Sequence, residues 1–115
     1  MSHREWRLRI QDMIDAIKDI DSFTQNKTFE DFEKERITYL AVIKSFEILG
    51  EAAHHVHSSI KSKYNEIPWR TIKDFRNRLS HGYFNIDYEI VWKAAKNTAP
   101  KLKTQLQKIL DQATN

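Results

Sequence analysis

Residues 37–60 of the chain read ITYLAVIKSFEILGEAAHHVHSSI, and this stretch decides the expected fold. Its apolar side chains recur at the three- and four-residue spacing that predicts an amphipathic helix. One apolar stripe contains Tyr39, Ile43, Phe46, Ala53, Val56 and Ile60. A second apolar face contains Ile37, Leu40, Ala41, Ile48 and Ala52. Because a helix that is apolar on two sides must bury both, we expect this one to form the centre of a bundle or part of a dimer interface.

The same helix is expected to begin well before residue 37. Thr28 opens a T-x-x-D pattern with Asp31, which resembles a capping box with aspartate in place of glutamate. From there to about Tyr64, Gly50 is the only residue that interrupts the helical pattern. The sequence therefore predicts one long helix over residues 28–64.

The segments on either side of this stretch predict two further helices. The first carries apolar residues at helical spacing, namely Trp6, Ile10, Met13, Ile14, Ile17 and Ile20. Its pattern fades over residues 21–24, and residues 25–27 form a predicted loop. Beyond the long helix, Pro68 suits the first position of a helix with the apolar stripe Trp69, Ile72, Phe75 and Leu79. Gly82 is expected to end that helix in the left-handed conformation.

The C-terminal third predicts one or two more helices. Asn85 or Asp87 is expected to cap a fourth helix. Pro100 then either kinks that helix or begins a fifth one, which bears Leu102, Leu106, Ile109 and Leu110. The expected fold is all-α, an antiparallel bundle of four to five helices in a single domain over residues 1–115.

The composition of the 115 residues excludes several classes of protein. The absence of cysteine excludes disulfides, thiolate–zinc sites and cysteine chemistry. Two glycines and two prolines are too few for the turns of a β-sandwich or barrel. No apolar run approaches the ~18 residues of a membrane span, and the polar N-terminus lacks the apolar region of a secretory signal. We therefore expect a cytoplasmic protein that does not enter a membrane.

Charge is distributed unevenly along the chain. Residues 1–51 hold 8 Lys and Arg against 11 Asp and Glu, whereas residues 52–115 hold 11 against 5. The basic half suits a partner that carries phosphate groups, although charge alone does not identify that partner.

Residues 76–83 read RNRLSHGY and include the side chains best suited to chemistry. On a helix, Arg76 falls inside the apolar arc that runs from Trp69 to Leu79. Burial of an unpaired charge is costly, so an arginine on such a face requires a partner. We expect Arg76 either to hold an anionic ligand or to form a buried salt bridge with Glu47 or Glu51.

His81 lies at the expected end of the same helix, where an imidazole is accessible and suits acid–base chemistry. A histidine there also suits a capping role. Asn77 precedes His81 by one turn, so their side chains can meet. Arg76 and His81 project about 140° apart on an ideal helix, so one chain cannot easily aim both at one phosphate. Two copies related by a two-fold axis could do so, and the spacing therefore predicts a homodimeric site.

Arginine and histidine together suit the cleavage of RNA. An arginine holds a phosphate bidentately and stabilises charge that develops on it. A histidine takes the proton of a ribose 2′-hydroxyl or gives one to the leaving oxygen. RNA supplies its own nucleophile, so neither a metal nor a cofactor is expected. Histidines at 54, 55 and 57 form a cluster, and Glu51 lies one turn before the first two, a spacing that can bind a divalent metal; solvated residues at a helix end are the favoured interpretation.

The string from Ile67 to Trp92 resembles the HEPN superfamily, most closely its HepT-like branch. The matching segments are IPWR at 67–70, FRNRLSHGYF at 75–84, IDY at 86–88 and VW at 91–92, with FEILGEAA upstream at 46–53. The resemblance covers essentially the whole chain. Asn85 stands where relatives often have glycine, which affects a turn rather than the chemistry.

The resemblance implies a small helical homodimer that cleaves RNA without a metal. On the family's Arg-x4–6-His pattern, Arg76 and His81 would be the catalytic pair and Asn77 would orient the site. We also expect three neighbouring charged residues to support it, namely Glu47, Glu51 and Arg78.

The HepT-like branch further implies the toxin of a two-component system. Its partner would be a minimal nucleotidyltransferase antitoxin that adenylylates the tyrosine of Arg-x4-His-x-Tyr, a position held here by Tyr83. Phosphate charge added two residues from His81 would repel an RNA backbone and fill the cleft.

Two other functions stay open. The first is a non-catalytic helical scaffold that binds a nucleotidyltransferase partner or a nucleotide, because a fold does not by itself establish catalysis. The second is a dimeric bundle that binds nucleic acid passively. The enzyme is favoured because four motif residues are intact, namely Arg76, Asn77, His81 and Tyr83.

Overall fold

The computed structural model describes residues 2–82 and 86–113, and every regular element in these ranges is helical. Five separate helices come first, α1 (His3–Thr24), α2 (Phe29–Lys34), α3 (Arg36–His54), α4 (Ser58–Lys63) and α5 (Trp69–Gly82). A sixth unit runs without a break through α6 (Tyr88–Lys93), a π-helical segment (Ala94–Thr98) and α7 (Ala99–Ala113). The all-α fold class is confirmed, but the number of helices exceeds the predicted four to five.

The extra helices arise within residues 28–64, for which the sequence predicts one helix. The capping box is confirmed: the Asp31 N–H donates to the Thr28 hydroxyl at 3.1 Å, and the Thr28 N–H donates to the Asp31 carboxylate at 3.0 Å. The helix it begins ends after six residues, at Lys34. The carboxylate of Glu35 accepts a hydrogen bond from Lys27 at 2.8 Å, which holds this turn against the loop before α2.

The predicted long helix is interrupted again after His54, so the prediction of one continuous helix was wrong. His57 has extended backbone angles and caps α4 by accepting a hydrogen bond from the Ser59 N–H at 3.1 Å. Serine in such a cluster competes with the helix by bonding to nearby backbone groups, which favours a cap. Gly50, in contrast, lies inside α3 and does not interrupt it.

The ends of the later helices match the sequence only in part. Gly82 is the last residue of α5, but no described glycine has a positive φ, so the left-handed ending was wrong. Glycine permits both signs of φ, and its presence alone does not fix the conformation. Asp87 caps α6 by accepting from the Glu89 N–H at 2.8 Å, as predicted, whereas Asn85 lies outside the described residues.

Pro100 falls at the second residue of α7 and neither starts a separate helix nor breaks the unit. Proline removes an N–H from the helical ladder. The turn just before it is wide, and the Ala99 N–H donates to the Ala94 carbonyl oxygen five residues earlier. Such π-helical turns absorb local disruptions of a helix.

The first helix packs antiparallel to the C-terminal unit and contributes to a core of buried apolar side chains. Arg7 near the start of α1 donates to the Leu110 carbonyl oxygen at 3.2 Å, and Lys96 donates to the carbonyl oxygen of Thr24 at the end of α1, at 3.4 Å. The first helix therefore runs opposite to the C-terminal unit. Its whole predicted apolar stripe is buried. Among the described residues, no helix has the length and apolarity needed to cross a membrane.

The two apolar faces of α3 differ in their burial. The first stripe lies in the core, with Tyr39, Ile43 and Phe46 at most 5% exposed. On the second face, Ile37 is 85% exposed and Ile48 is 44% exposed. The chain by itself therefore leaves part of an apolar helix face in water.

Candidate active site

α5 packs directly against α3 where Arg76 crosses Gly50. A Cβ atom built on Gly50 would lie 2.6 Å from the Cβ of Arg76, 2.8 Å from its Cδ and 2.9 Å from its Cγ. Non-bonded carbon atoms prefer separations of about 3.5–4.0 Å, so a larger residue would push the helices apart. Gly50 is therefore a packing residue that brings the stem of Arg76 against α3.

Glu51 contacts both Arg76 on α5 and His55, the residue that follows the end of α3. Arg76 Nη2 donates to Glu51 Oε2, and the other carboxylate oxygen lies 2.9 Å from His55 Nε2. The Arg76 side chain is 25% exposed and that of Glu51 is 52% exposed. The structure thus contains the salt bridge that the sequence left open, with Glu51 rather than Glu47, and in a partly solvated setting rather than a buried one.

The ion pair leaves Arg76 able to bind a further anion. A guanidinium carries five N–H donors in a fixed planar arrangement. Within the described ranges, Arg76 makes no hydrogen bond other than the one with Glu51. The remaining donors can therefore hold a phosphate while the carboxylate fixes the orientation of the group.

The pKa of Glu51 is lowered from its ordinary value of 4.5. The hydrogen bond with His55 is the largest cause, desolvation acts in the opposite direction, and the positive charge of Arg76 lowers the pKa further. Glu51 is therefore ionised at neutral pH, where it holds Arg76 in place.

An open groove of about 300 Å³ lies beside this ion pair, between α3 and the second half of α5. Its lining residues are Lys44, Glu47, Ile48, Glu51, Arg76 and Ser80. We call it the Arg76 groove. Ile48 belongs to the exposed apolar face of α3, so the groove opens at the edge of that face.

His81 lies in the last turn of α5 and is exposed. Because α5 is continuous from Arg76 to His81, the divergence of about 140° expected on an ideal helix applies. The side chains of Asn77 and Arg78 are also exposed. No hydrogen bond joins Asn77 to His81 in the part of the chain that the structure describes. One chain thus brings Arg76 to Glu51 and the groove, and leaves His81 apart.

The remaining predicted residues have mixed positions. Glu47 is half-buried and lines the Arg76 groove. Tyr83, the candidate modification site, lies outside the described residues; in the sequence it follows Gly82 directly. Among the described residues, no group of three or more His, Asp or Glu side chains converges as metal ligands would, since His55 pairs with Glu51 and His57 caps α4.

Comparison with known proteins assigns the chain to a family. Residues 13–109 match the family described as Ribonuclease HepT-like. The chain belongs to the HepT-like ribonuclease family. That family is an enzyme family, and the resemblance drawn from residues 67–92 is confirmed.

Individual relatives cover nearly the whole chain. A protein of Thermococcus cleftensis named "Probable ribonuclease HepT" is 37% identical over 108 residues, which span 94% of this chain and 96% of that protein. A protein of Methanocaldococcus jannaschii, named as a candidate RNase, is 34% identical over 110 residues, or 96% of this chain and 91% of its own length. A candidate RNase of Caldanaerobacter subterraneus is 35% identical over 83 residues, 72% of this chain and 74% of its own. No solved structure matches the chain significantly.

Within this HepT-like chain, sequence reasoning missed two residues that shape the site. From the sequence, Gly50 is only an interruption of a helix, whereas in the structure it allows Arg76 to approach α3. His55 is exposed, as expected for these histidines, but it also contacts the carboxylate that holds Arg76, which sequence reasoning did not foresee. The four-residue spacing from Glu51 to His55 is the signal that could have identified this pair.

Proposed function

We propose that this HepT-like chain is a metal-independent endoribonuclease whose active site forms between two copies. The single observation that carries the proposal is the placement of Arg76, held by Glu51 at a groove that opens beside an exposed apolar face. His81 stands on the same helix, where the five-residue spacing from Arg76 directs its side chain about 140° away from that of Arg76 on an ideal helix. A second copy would bring its own His81 to the Arg76 groove.

The proposed reaction needs only groups that these residues and the RNA supply. Arg76 holds the phosphate and stabilises the charge that grows on its oxygens. The ribose 2′-oxygen attacks the adjacent phosphorus, and the bond to the 5′-oxygen of the next nucleotide breaks. His81 takes the proton of the 2′-hydroxyl or gives a proton to the leaving 5′-oxygen. Asn77, one turn from His81 on α5, would orient this exchange.

Dimer formation is supported by the exposed face of α3. Ile37 and Ile48 lie eleven residues apart, which places them on the same side of the helix after three turns. Burial of large apolar side chains is the main driving force of association. Glu51, which holds Arg76, lies one turn after Ile48, so contact along this face would place the partner chain next to the Arg76 groove.

The proposal includes regulation by a nucleotidyltransferase antitoxin that adenylylates Tyr83. The support is the position of Tyr83 two residues after His81 and one after the last residue of α5. Nucleotides added there would bring negative charge and bulk beside His81. This would block the approach of RNA electrostatically and sterically, and the chain would act as the toxin of a toxin–antitoxin pair.

A non-catalytic scaffold is the second candidate, and one observation favours it. Arg76 already has a partner in Glu51, so its presence on α5 has a structural explanation without RNA. Under this alternative the chain would bind a nucleotidyltransferase or a nucleotide and cleave nothing.

Cleavage of a labelled single-stranded RNA in the presence of EDTA separates the two candidates. If the chain is a ribonuclease, the parent should cleave the RNA in EDTA and His81→Ala should not. If the chain is a scaffold, neither the parent nor His81→Ala should cleave it. Cleavage that His81→Ala retains in full would remove His81 from the mechanism.

A further inference from the structure

A second concave surface lies on the other side of Arg76. It has a volume of about 430 Å³ and is formed where the end of α3, helix α4 and the first half of α5 meet. Four cationic side chains line it, namely Lys61, Arg70, Lys73 and Arg76, together with the ring of Trp69. We call this surface the cation pocket. Of these residues, the catalytic proposal uses only Arg76.

In the part of the chain that the structure describes, three of the four cations in this pocket have no ion-pair partner. Within the described ranges, Lys61, Arg70 and Lys73 form no ion pair, although Asp74 also contributes to the lining. Burial is the larger cause of a lowered pKa at Lys61, and the nearby charge of Lys73 adds to it. Such uncompensated cations attract an anion, which would relieve their mutual repulsion.

Trp69 gives the pocket a fixed wall. Its indole Nε1–H donates to the Tyr64 carbonyl oxygen at 3.1 Å, which fixes the ring at the start of α5. Lys61 Nζ lies 5.7 Å from the centre of that ring. Aromatic rings beside lysine and arginine are the combination that single-stranded nucleic acids contact through bases and phosphates.

Arg76 connects the cation pocket to the Arg76 groove, because its side chain lines both. Lys73 lies one turn before Arg76 on α5. From Lys73 to Arg76 the helix rises by about 4.5 Å. That length is short enough for one strand to contact both surfaces within a few nucleotides.

We propose that the cation pocket binds the sugar-phosphate backbone of single-stranded RNA a few nucleotides away from the bond that is cleaved. Lys61 and Lys73 would contact phosphate oxygens, and Trp69 would provide the surface against which a sugar or base lies. This inference rests on the proposed ribonuclease function and adds a binding subsite to it. A free nucleotide offers the same phosphate chemistry and is distinguished in the test.

The test compares RNA binding by Lys61→Gln/Lys73→Gln with binding by a matched control. Both are made in a His81→Ala background, so that labelled single-stranded RNA binds without being cleaved. The control is Lys18→Gln/Lys108→Gln, which removes the same charge from exposed lysines that line neither surface. Circular dichroism establishes that each variant keeps its helical content.

The pocket variant is expected to bind RNA on the order of tenfold more weakly at about 0.1 M salt. Its slope of log affinity against log salt should be shallower by about 1.4, the value for two lost phosphate contacts on a single strand. The control should change neither quantity beyond a small uniform charge effect. Lys61→Arg/Lys73→Arg should restore binding, because arginine keeps the charge.

Cleavage kinetics in the chain with His81 intact give a second readout. The pocket variant should raise KM and leave kcat nearly unchanged, as expected when a contact is made equally in the bound and transition states. If the pocket variant is active and matches the control in RNA affinity, salt slope and KM, the cation pocket is not an RNA-binding subsite. The proposed ribonuclease function would be unaffected by that result. A parent chain that neither binds nor cleaves RNA would overturn both.

The competition arm uses adenosine monophosphate. If the pocket serves RNA, the mononucleotide should compete with RNA only weakly. A mononucleotide that binds as tightly as the RNA, and loses that affinity in Lys61→Gln/Lys73→Gln, would assign the pocket to a free nucleotide and contradict the inference.

Discussion

Glu51 links Arg76 to the end of α3. It accepts a hydrogen bond from Arg76 on α5 and contacts His55, which follows the last residue of α3. Its carboxylate is half exposed, so the ion pair is screened by water and contributes little to stability. We therefore propose a positioning role for Glu51, in which it fixes the direction of the Arg76 guanidinium at the groove.

Replacement of the two catalytic candidates tests the reaction at the residue scale. Arg76→Ala is expected to lower the rate of RNA cleavage by about 10²–10³, as expected when a group that stabilises developing charge is lost. His81→Ala should lower it by about 10²–10⁴ through loss of acid–base catalysis. Both variants should keep their helical circular dichroism. Unchanged cleavage in either would remove that residue from the site.

Glu51→Gln tests the positioning role. It should lower kcat by roughly tenfold, because the guanidinium loses its fixed orientation. Glu47→Gln is the matched control, since Glu47 lies one turn earlier in the same groove and shares no ion pair with Arg76. Equal effects of the two substitutions would show that Glu51 contributes only charge to the groove.

The Glu51→Gln variant also makes a prediction about pH. The folded state lowers the pKa of Glu51 below its ordinary 4.5, so its contribution to stability is present above that value and is lost as pH falls through the lowered pKa. The melting temperatures of the parent and Glu51→Gln should therefore differ most near neutral pH and converge in acid. A difference that grows on acidification would contradict this sign.

Tyr83→Phe tests the regulation. The variant should cleave RNA as the parent does but resist silencing by the nucleotidyltransferase, because phenylalanine has no hydroxyl to receive an adenylyl group. Cell survival on co-expression with the partner measures this, with the parent as control. If the partner silences Tyr83→Phe as fully as the parent, Tyr83 is not the modified residue.

At the scale of helices, the site depends on how closely α3 and α5 pack. Gly50→Ala would add a Cβ at less than 3 Å from three carbon atoms of Arg76. Overpacking of this kind costs about 1–3 kcal/mol, against a gain of up to about 1 kcal/mol in helix propensity. We expect a net loss of about 0–2 kcal/mol in the free energy of unfolding by urea, together with slower cleavage. A stabilised and fully active Gly50→Ala would show that the helices adjust freely.

Periodicity predicted the helices well and their interruptions poorly. The apolar stripe of α1 and the capping box at Thr28 follow from local spacing, which the sequence displays directly. The turn at Glu35 and the cap at His57 depend on side chains that bind the backbone or a distant loop. Gly50 also could not be predicted from local spacing, because its role in helix packing depends on Arg76, which belongs to another helix.

For the whole molecule, the expected oligomer is a homodimer formed along the exposed face of α3. Ile48→Glu should place a charge on that face and yield monomers in analytical ultracentrifugation at micromolar concentration, with loss of cleavage. Ile90→Glu is the matched control, because Ile90 is 38% exposed, close to the 44% of Ile48, and lines a different surface with Phe46 and Leu49. This interface would be contradicted if the parent were a stable monomer. It would also be contradicted if Ile48→Glu remained a dimer and kept full RNA cleavage.

The central claim is that Arg76 of one chain acts with His81 of the other, and mixing of inactive variants tests it most directly. Co-refolded Arg76→Ala and His81→Ala chains, isolated as heterodimers through two different affinity tags, contain one intact Arg76 and one intact His81 on different chains. The account predicts that these heterodimers regain RNA cleavage although each variant alone is inactive. The parent paired in the same way with Arg76→Ala/His81→Ala gives the converse heterodimer, which should be inactive. If the first heterodimer is inactive and the second is active, Arg76 and His81 act within one chain, which would contradict the account.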